Sequence, residues 1–235
     1  MEYVEHPVPR RLHGFVSALW TLECHGTADE RLTHEATPDG CVELIRRTRG
    51  ESSWGRDQPP VFVTGLSEAP VSLAFSGDAR FIGLRLWPWA WNLLGGPACP
   101  ALAGDWQDAA DLGWLVEAPS ADAALDAFAV HALHPFAEAA LSSASVGEIA
   151  KRTGASHRQI QRWFEREVGM PPRRYLRLLR FGRTMGDLQR NGDSLAAQAA
   201  AAGYADQAHM ARDFRALAGA SARRTRARAV GPFVS

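Results

Sequence analysis

The last third of the chain contains one pattern of turn-forming and apolar residues twice, and this duplication constrains the fold more than any other feature. Ser194 and Gly203 are nine residues apart, as are Ser145 and Gly154. The segments that follow repeat each other at a shift of fifty residues in four matched pairs: Ile160 and Met210, Arg162 and Arg212, Phe164 and Phe214, Gly169 and Gly219. Chance rarely produces such a match, so each copy is predicted to be one structural unit.

The first copy carries the signals of two short helices joined by a tight turn. Ser145, followed three residues later by Glu148, has the pattern of a helix N-cap, and Gly154 is a stop signal. Ser156 with Gln159 opens a second helix in the same way. This second helix has apolar residues at three- and four-residue steps, namely Ile160, Trp163, Phe164 and Val168. The pattern predicts a helix-turn-helix unit with one buried face.

The opposite face of each second helix carries side chains that can contact DNA. Arginine and glutamine can make paired hydrogen bonds to base edges in the major groove. The predicted base-reading residues are Arg158, Gln161 and Arg162 in the first unit and Gln207, His209 and Arg212 in the second. Ser156, Arg174 and Arg180 are predicted to contact phosphates. The first set is longer and more cationic, so we expect the first unit to supply most of the sequence selectivity.

One long helix is predicted between the two units, from Arg173 to Arg190. Its apolar residues, which we expect to face inward, are Tyr175, Leu178, Leu179, Met185 and Leu188. A continuous helix of this length would act as a rigid spacer, which sets the distance between the two base-reading helices.

This arrangement resembles the DNA-binding module of AraC-type transcription regulators. The resemblance rests on GxSxxxxxRxF in the first unit and GYxDQxHxxRDF in the second, and it covers roughly Ser142 to Thr225. It implies a protein that binds double-stranded DNA and regulates transcription, with RNA polymerase as a further partner if the protein is an activator.

The charge distribution fits a DNA-binding C-terminal half. The formal net charge of the chain is zero. From Phe136 to Ser235 there are 17 Lys and Arg against 8 Asp and Glu, a net charge of +9, whereas Met1 to Pro135 has 9 against 18, a net charge of −9. A basic region is the electrostatic footprint of nucleic-acid binding. The acidic half is therefore expected to avoid phosphate.

The N-terminal half has short apolar runs separated by turn residues, which predicts a β-rich domain. The runs are Leu12–Cys24, Arg31–Ala36, Cys41–Arg46, Val61–Thr64, Val71–Ser76 and Phe81–Leu86. In the first run, Val16, Ala18, Trp20 and Leu22 are expected on one face. Asp105–Leu115 and Ser120–Leu141 are predicted to be helical, the second interrupted at Pro135.

These elements predict an α+β protein with three parts. Residues 1–118 would form a β-rich sensing or assembly domain, either a barrel or a sandwich. Residues 119–141 would connect it to an all-α double helix-turn-helix domain over residues 142–235. The apolar face of the connecting helix could pack on the β domain or form the contact of a homodimer.

The acidic half also resembles the uncharacterised N-terminal domain of one branch of AraC-type regulators. The resemblance lies in TPDGCVEL near Pro38 and FIGLRLWP near Phe81. Classical members of the wider family carry a cupin-like barrel in this position, so the resemblance implies a small-molecule effector or dimer contacts. Glu43, Arg85 and Trp87 are the candidate lining of an effector pocket. For the tryptophan-rich segment Trp87–Trp91, core packing is the stronger alternative.

Other classes of function receive little support from the sequence. Cys24, Cys41 and Cys99 lack zinc-finger or disulfide spacing, and no nucleophile has a base fixed beside it. We therefore expect no metal, no cofactor and no enzyme activity, and the absence of a long apolar run predicts a cytoplasmic protein without a membrane partner. A ligand- or partner-binding protein whose module no longer reads a DNA sequence stays open, because Gln198 stands where Ile149 stands in the first unit.

Overall fold

The computed structural model describes residues 1–190, 194–230 and 233–234, and it confirms an α+β architecture with a β-rich N-terminal domain and a helical C-terminal domain. The strands are β1 Glu2–His6, β2 Val16–Glu23, β3 Arg31–Ala36, β4 Val42–Arg49, β5 Ser52–Trp54, β6 Arg56–Asp57, β7 Val61–Thr64, β8 Val71–Ser76, β9 Arg80–Leu86, β10 Trp106–Asp108, β11 Ala229–Val230 and β12 Phe233–Val234. The α-helices are α1 Pro88–Leu93, α2 Cys99–Leu102, α3 Asp122–Phe128, α4 Pro135–Ser142, α5 Val146–Thr153, α6 His157–Glu167, α7 Pro172–Arg190, α8 Leu195–Ala201, α9 Gln207–Ala218 and α10 Ala222–Arg228.

The strands form two six-stranded antiparallel sheets, so the N-terminal domain is a sandwich. The first sheet has the order β1-β2-β9-β4-β7-β10. The second has the order β11-β12-β3-β8-β5-β6, with the C-terminal hairpin β11–β12 paired to the edge of β3. The strands β11 and β12 therefore belong to a sheet of the N-terminal domain.

Alternation along the strands gives the first sheet two buried faces. In β4, Val42 and Leu44 belong to the core shared with the helices, whereas Ile45 belongs to the core between the two sheets. Glu43 pairs with Arg85 of β9 in the strand register, and both lie on the inter-sheet face because neighbours along a strand point to opposite sides. The fold therefore places two oppositely charged side chains side by side between the sheets.

A β-bulge corrects the predicted alternation of β2. Ala18, Trp20 and Leu22 share the inter-sheet face as predicted, but Val16 packs into the core on the other side. The pairing with β9 shifts between Val16 and Ala18, which inserts one extra residue into β2. A bulge reverses the side to which the preceding residues point, so the prediction for Val16 was wrong.

The segments predicted as helical before residue 142 are only partly helical. Trp106–Asp108 is a strand that pairs with β7, and only Ala110–Val116 forms a short 3₁₀ helix. The run over Ser120–Leu141 is two separate helices, α3 and α4, with Pro135 as the first residue of the second. Proline is tolerated at the first helical position but not inside a helix, which explains the break.

The two helix-turn-helix units and the long helix between them are confirmed. Helices α5 and α6 form the first unit, α8 and α9 form the second, and α7 spans nineteen residues between them. Gly154 ends α5 with φ of 69°, in the left-handed region that favours glycine. All five residues predicted to face inward from α7 are buried, namely Tyr175, Leu178, Leu179, Met185 and Leu188.

The helical domain and the sandwich share one continuous apolar core. The indole of Trp89 in α1 lies 5.8 Å from that of Trp163 in α6 and 6.0 Å from the ring of Tyr175 in α7. Asn92 Nδ2 donates to the backbone carbonyl of Glu167 at 3.0 Å. The tryptophan-rich segment is therefore core packing that joins the two domains.

Candidate DNA interface and ligand cavity

The first unit presents α6 with a well-capped N-terminus. Ser156 Oγ accepts from the backbone N–H of Gln159 at 3.3 Å, and Gln159 Oε1 accepts from the backbone N–H of Ser156 at 2.9 Å. In this reciprocal capping box the Ser156 hydroxyl is already hydrogen-bonded to its own helix. Ile160, Trp163 and Phe164 are buried on the opposite side, as the sequence predicts.

Two of the three predicted base-reading residues of α6 lie free on its outer face. Arg158 and Arg162 are exposed, four residues apart on one side of the helix, and neither makes an ion pair within the described residues. Gln161 is half-buried, and its Nε2 donates to Glu165 Oε1 at 2.7 Å. The two guanidinium groups can therefore reach a ligand without breaking a contact, whereas Gln161 would exchange one.

The second unit offers a smaller polar surface on α9. Gln207 and Arg212 are exposed, whereas the ring of His209 packs edge-on against Tyr204 with centroids 5.1 Å apart. Asp206 caps the helix by accepting from the backbone N–H of His209 at 2.6 Å. Of the residues predicted here, the structure leaves Gln207 and Arg212 as the accessible pair.

Helix α7 contacts α6 and α9, the second helices of the two units, and holds them in place. The ring of Tyr175 packs on Phe164 of α6, and the ring of Phe181 lies 4.9 Å from Phe214 of α9. The buried carboxylate of Asp213 in α9 accepts from two guanidinium groups of α7, that of Arg177 at 2.8 Å and that of Arg180 at 3.3 Å. The spacer role predicted for α7 thus rests on specific contacts with each unit.

The predicted phosphate-contacting arginines of α7 are engaged inside the protein. The guanidinium of Arg180 is 4.4 Å from the ring centroid of Tyr204, in addition to its pair with Asp213. Arg174 Nε lies 2.8 Å from the Glu68 carboxylate of the N-terminal domain. Both side chains have structural partners, so neither is the simplest source of a phosphate contact.

Arg173 and Arg215 are two further candidates for the DNA-facing surface that were not predicted from the sequence. Arg173 is exposed and lines a groove of about 470 Å³ together with Gln161 and the N-terminal end of α5. Arg215 is exposed on α9, three residues after Arg212, so the two lie on one side of that helix. The i,i+3 spacing from Arg212 is the signal that could have identified Arg215.

The N-terminal domain contains a cavity of about 100 Å³ between its two sheets. Most of its wall is apolar or aromatic, with Trp20, Ile45, Trp54, Phe62, Leu73, Phe75 and Phe81 among the lining residues. Of the three residues predicted to line an effector pocket, the structure brings only Glu43 to this wall. Trp87 lies outside the cavity, where its Nε1 donates to the carbonyl of His13 at 3.0 Å.

Arg85 lies behind the cavity wall at the centre of a cluster of acidic groups. Its Nε is 2.6 Å from Glu43 Oε1 and 2.7 Å from Asp39 Oδ2, and its Nη1 is 3.3 Å from Glu5 Oε1. Burial raises the pKa of Glu43, and the guanidinium of Arg85 opposes that rise. Burial by itself would lower the pKa of Arg85, but Glu43, Tyr3, Asp39 and Cys41 raise it well above its ordinary value. Arg85 therefore remains a cation.

The thiol of Cys41 is unsuited to nucleophilic chemistry. Its side chain is buried, and burial together with the nearby carboxylate of Asp39 raises its pKa well above the ordinary value. A reactive cysteine needs the opposite shift, since the thiolate is the nucleophile. Cys41 is a structural residue beside the cavity.

Two helix-turn-helix units carried by one rigid helix, with arginines on the outer face of each second helix, define a double helix-turn-helix module of the kind that docks into DNA major grooves. Family comparison agrees: residues 149–228 match the model described as a helix-turn-helix domain, and residues 4–103 match a domain of unknown function, DUF6597. The matched segments are thus similar to a helix-turn-helix domain of the AraC type over residues 149–228 and to a DUF6597 domain over residues 4–103.

The chain also aligns with solved structures of bacterial proteins. A transcriptional regulator with an AraC-type DNA-binding domain from Chromobacterium violaceum is 28% identical, with 40% of this chain and 90% of that chain covered and a TM-score of 0.37. ToxT from Vibrio cholerae is 9% identical, with 94% and 96% covered and a TM-score of 0.48. A search of curated proteins found no match. No helix in the described part of the chain combines the length and apolar character that a bilayer crossing requires.

Proposed function

We propose that this protein is a sequence-specific DNA-binding transcription regulator whose activity is modulated by an effector bound in the N-terminal domain. The observation that carries the proposal is the pair of exposed arginines, Arg158 and Arg162, on the outer face of α6 in an AraC-type domain. Guanidinium groups in this position can each take the two acceptors of a guanine in the major groove.

The two units contribute unequally to base reading. The accessible residues of α9 are Gln207 and Arg212, while the ring of His209 is held against Tyr204. A site of two parts is expected, about one helical turn apart on one face of the duplex, because α7 fixes the separation of α6 and α9. The half contacted by α6 has the sharper base preference.

Effector modulation is supported by the turn that lies between the cavity and α7. Asp39 and Cys41 line the cavity, and Gly40 between them packs against the side chains of Tyr175, Leu178 and Leu179. A ligand that displaces this turn therefore acts directly on the helix that holds both base-reading helices. The turn is the physical link between the two domains in the proposal.

Selection from randomised DNA by the full-length protein and its alanine variants tests the assignment. Arg158→Ala and Arg162→Ala should each relax the base preference at one or two positions, with a loss of discrimination of about 1–3 kcal/mol. Arg173→Ala, which removes an exposed guanidinium outside the base-reading face, is the matched control. It should weaken all sequences alike and flatten the salt dependence by about one phosphate contact. Unchanged preference in both α6 variants would refute the proposed reading residues.

A further inference from the structure

The cavity between the sheets has the chemical character of a site for a small organic cation. Among the described residues, its lining includes two carboxylates, Asp39 and Glu43, and no lysine, arginine or histidine. The rest of the wall is dominated by aromatic rings and aliphatic side chains. Aromatic faces attract cations through the ring quadrupole, and this attraction grows when the cation is removed from water.

The charge around these carboxylates is not balanced by the protein. Arg85 is the one guanidinium paired with Glu43 and Asp39 among the described residues, and it also pairs with Glu5. Three carboxylates thus share a single positive charge. An anion entering the cavity would meet Asp39 and Glu43 before Arg85, since Arg85 is not part of the lining. A cation would instead reduce the excess of negative charge.

Two buried polar groups on the wall have no hydrogen-bond partner among the described residues. They are the indole Nε1 of Trp20, a residue that is 2% exposed, and the hydroxyl of Ser52, a residue that is 7% exposed. Trp20 lies over Gly83 of the neighbouring strand, where a Cβ would come within 2.6 Å of Nε1. Both atoms have almost no accessible surface, so a ligand in the cavity could reach them only after a side-chain adjustment.

The size of the cavity limits the ligand. A volume of about 100 Å³ holds roughly three water molecules at about 30 Å³ each, and it is smaller than the roughly 150 Å³ cavity that accommodates benzene. That is the size of a protonated amine attached to a short aliphatic body. An oligosaccharide or a long-chain lipid would not fit without rearrangement of the sheets.

We propose that the cavity binds a small organic ammonium ion, with the ammonium group at Asp39 and Glu43 and the apolar body among Trp20, Phe62 and Phe75. This inference deepens the effector role and rests on it, because it names the chemical class of the effector. The Asp39–Cys41 turn contacts both the ligand and α7, so occupation of the cavity is communicated to the DNA-binding domain.

Calorimetric titration of the full-length protein with isobutylamine tests this inference, and isobutanol and isobutyrate serve as the neutral and anionic comparisons. Saturable binding of isobutylamine, at least about tenfold tighter than either comparison, supports the proposal. Isobutyrate binding as tightly as the amine, or no binding of the amine, overturns it.

Asp39→Asn provides the decisive variant because it removes one carboxylate charge and keeps the turn. Asp39 Oδ1 accepts from the backbone N–H of Cys41 at 2.9 Å, and an asparagine oxygen can make the same bond. The affinity for isobutylamine should fall about tenfold, with isobutanol unaffected. Asp108→Asn is the matched control, since Asp108 Oδ1 accepts from the backbone N–H of Ala110 at 2.9 Å outside the cavity.

Equal affinities of the Asp39 and Asp108 variants would contradict the assignment of the ammonium site. A third variant, Leu73→Phe, fills part of the cavity without altering its charge and should abolish amine binding. If the Leu73→Phe variant still binds the amine, the amine binds outside the cavity. All these titrations are made without DNA, so their failure leaves the DNA-binding proposal intact. Failure of DNA selection, conversely, would leave the cation site intact.

Discussion

Arg85 combines three properties that rarely occur in one side chain: it is buried, it is charged, and it contacts several acidic groups. Its side chain is 9% exposed, and its partners come from β1, the turn before β4, and β4 itself. The Tyr3 hydroxyl accepts a further hydrogen bond from Nη2 at 3.2 Å. Removing the guanidinium would leave the carboxylates without their shared partner in a low-dielectric environment.

We therefore predict that Arg85→Leu lowers the free energy of unfolding by about 3–5 kcal/mol. Arg80→Leu, in the same strand, is the control, because Arg80 pairs with Glu23 at the surface with both side chains well exposed. That substitution should cost no more than about 1 kcal/mol. Chemical denaturation of both variants provides the measurement, and equal losses would show that Arg85 is not the organising charge of the cluster.

At the scale of elements, the Asp39–Cys41 turn and α7 form the contact on which the proposed communication between the domains depends. Gly40 has φ of 79°, and a Cβ at this position would lie 3.3 Å from Tyr175 Cε2 and 3.4 Å from Leu179 Cδ2. Glycine is needed here for two reasons: the left-handed backbone and the close approach of α7. The hydroxyl of Tyr175 has no hydrogen-bond partner among the described residues, so this contact is an apolar one.

Gly40→Ala should destabilise the protein more than Gly55→Ala does. Gly55 also has a positive φ, of 68°, but a Cβ there would meet no atom within 4 Å. Both variants pay the left-handed backbone cost of about 1–2 kcal/mol, and only Gly40→Ala adds overpacking against α7, of about 1–3 kcal/mol. Thermal unfolding would measure the difference, and equal losses of stability would mean that the turn and α7 are not tightly packed.

An element could be predicted from the sequence when the residues that define its ends lie within or beside it. The caps at Ser145 and Ser156 and the stop at Gly154 are local, and the helix-turn-helix units were predicted correctly from them. Three strands were likewise bounded by turn residues on both sides and have the predicted limits. They are β3 Arg31–Ala36, β7 Val61–Thr64 and β8 Val71–Ser76.

Elements stabilised by distant partners could not be predicted in this way. Trp106–Asp108 contains no turn signal and becomes a strand only because it pairs with β7. The same is true of the site: Asp39 was not among the predicted pocket residues, and its place on the cavity wall follows from the packing of two sheets. Glu43 and Arg85 are direct cross-strand neighbours, but only Glu43 lines the cavity, and Trp87 lies past the end of β9.

At the scale of the whole molecule, the opposite charges of the two halves coexist with one continuous apolar core. Contacts such as Trp89 with Trp163 and Asn92 with Glu167 join the sandwich to the first unit, and the hairpin β11–β12 pairs with β3. The boundary predicted at residue 142 remains a prediction, and a cut there would expose apolar surface that the sandwich covers. DNA binding is therefore best measured on the full chain.

The most direct test of the account is the affinity of the full-length protein for DNA fragments as a function of sequence and salt concentration. The account predicts tight binding to a selected two-part site, weaker binding to unrelated DNA by at least about a thousandfold, and a steep fall of affinity with added salt. Equal affinity for selected and unrelated DNA, or an affinity insensitive to salt, would contradict it. Either outcome would instead favour a regulatory protein whose helix-turn-helix module works through protein contacts.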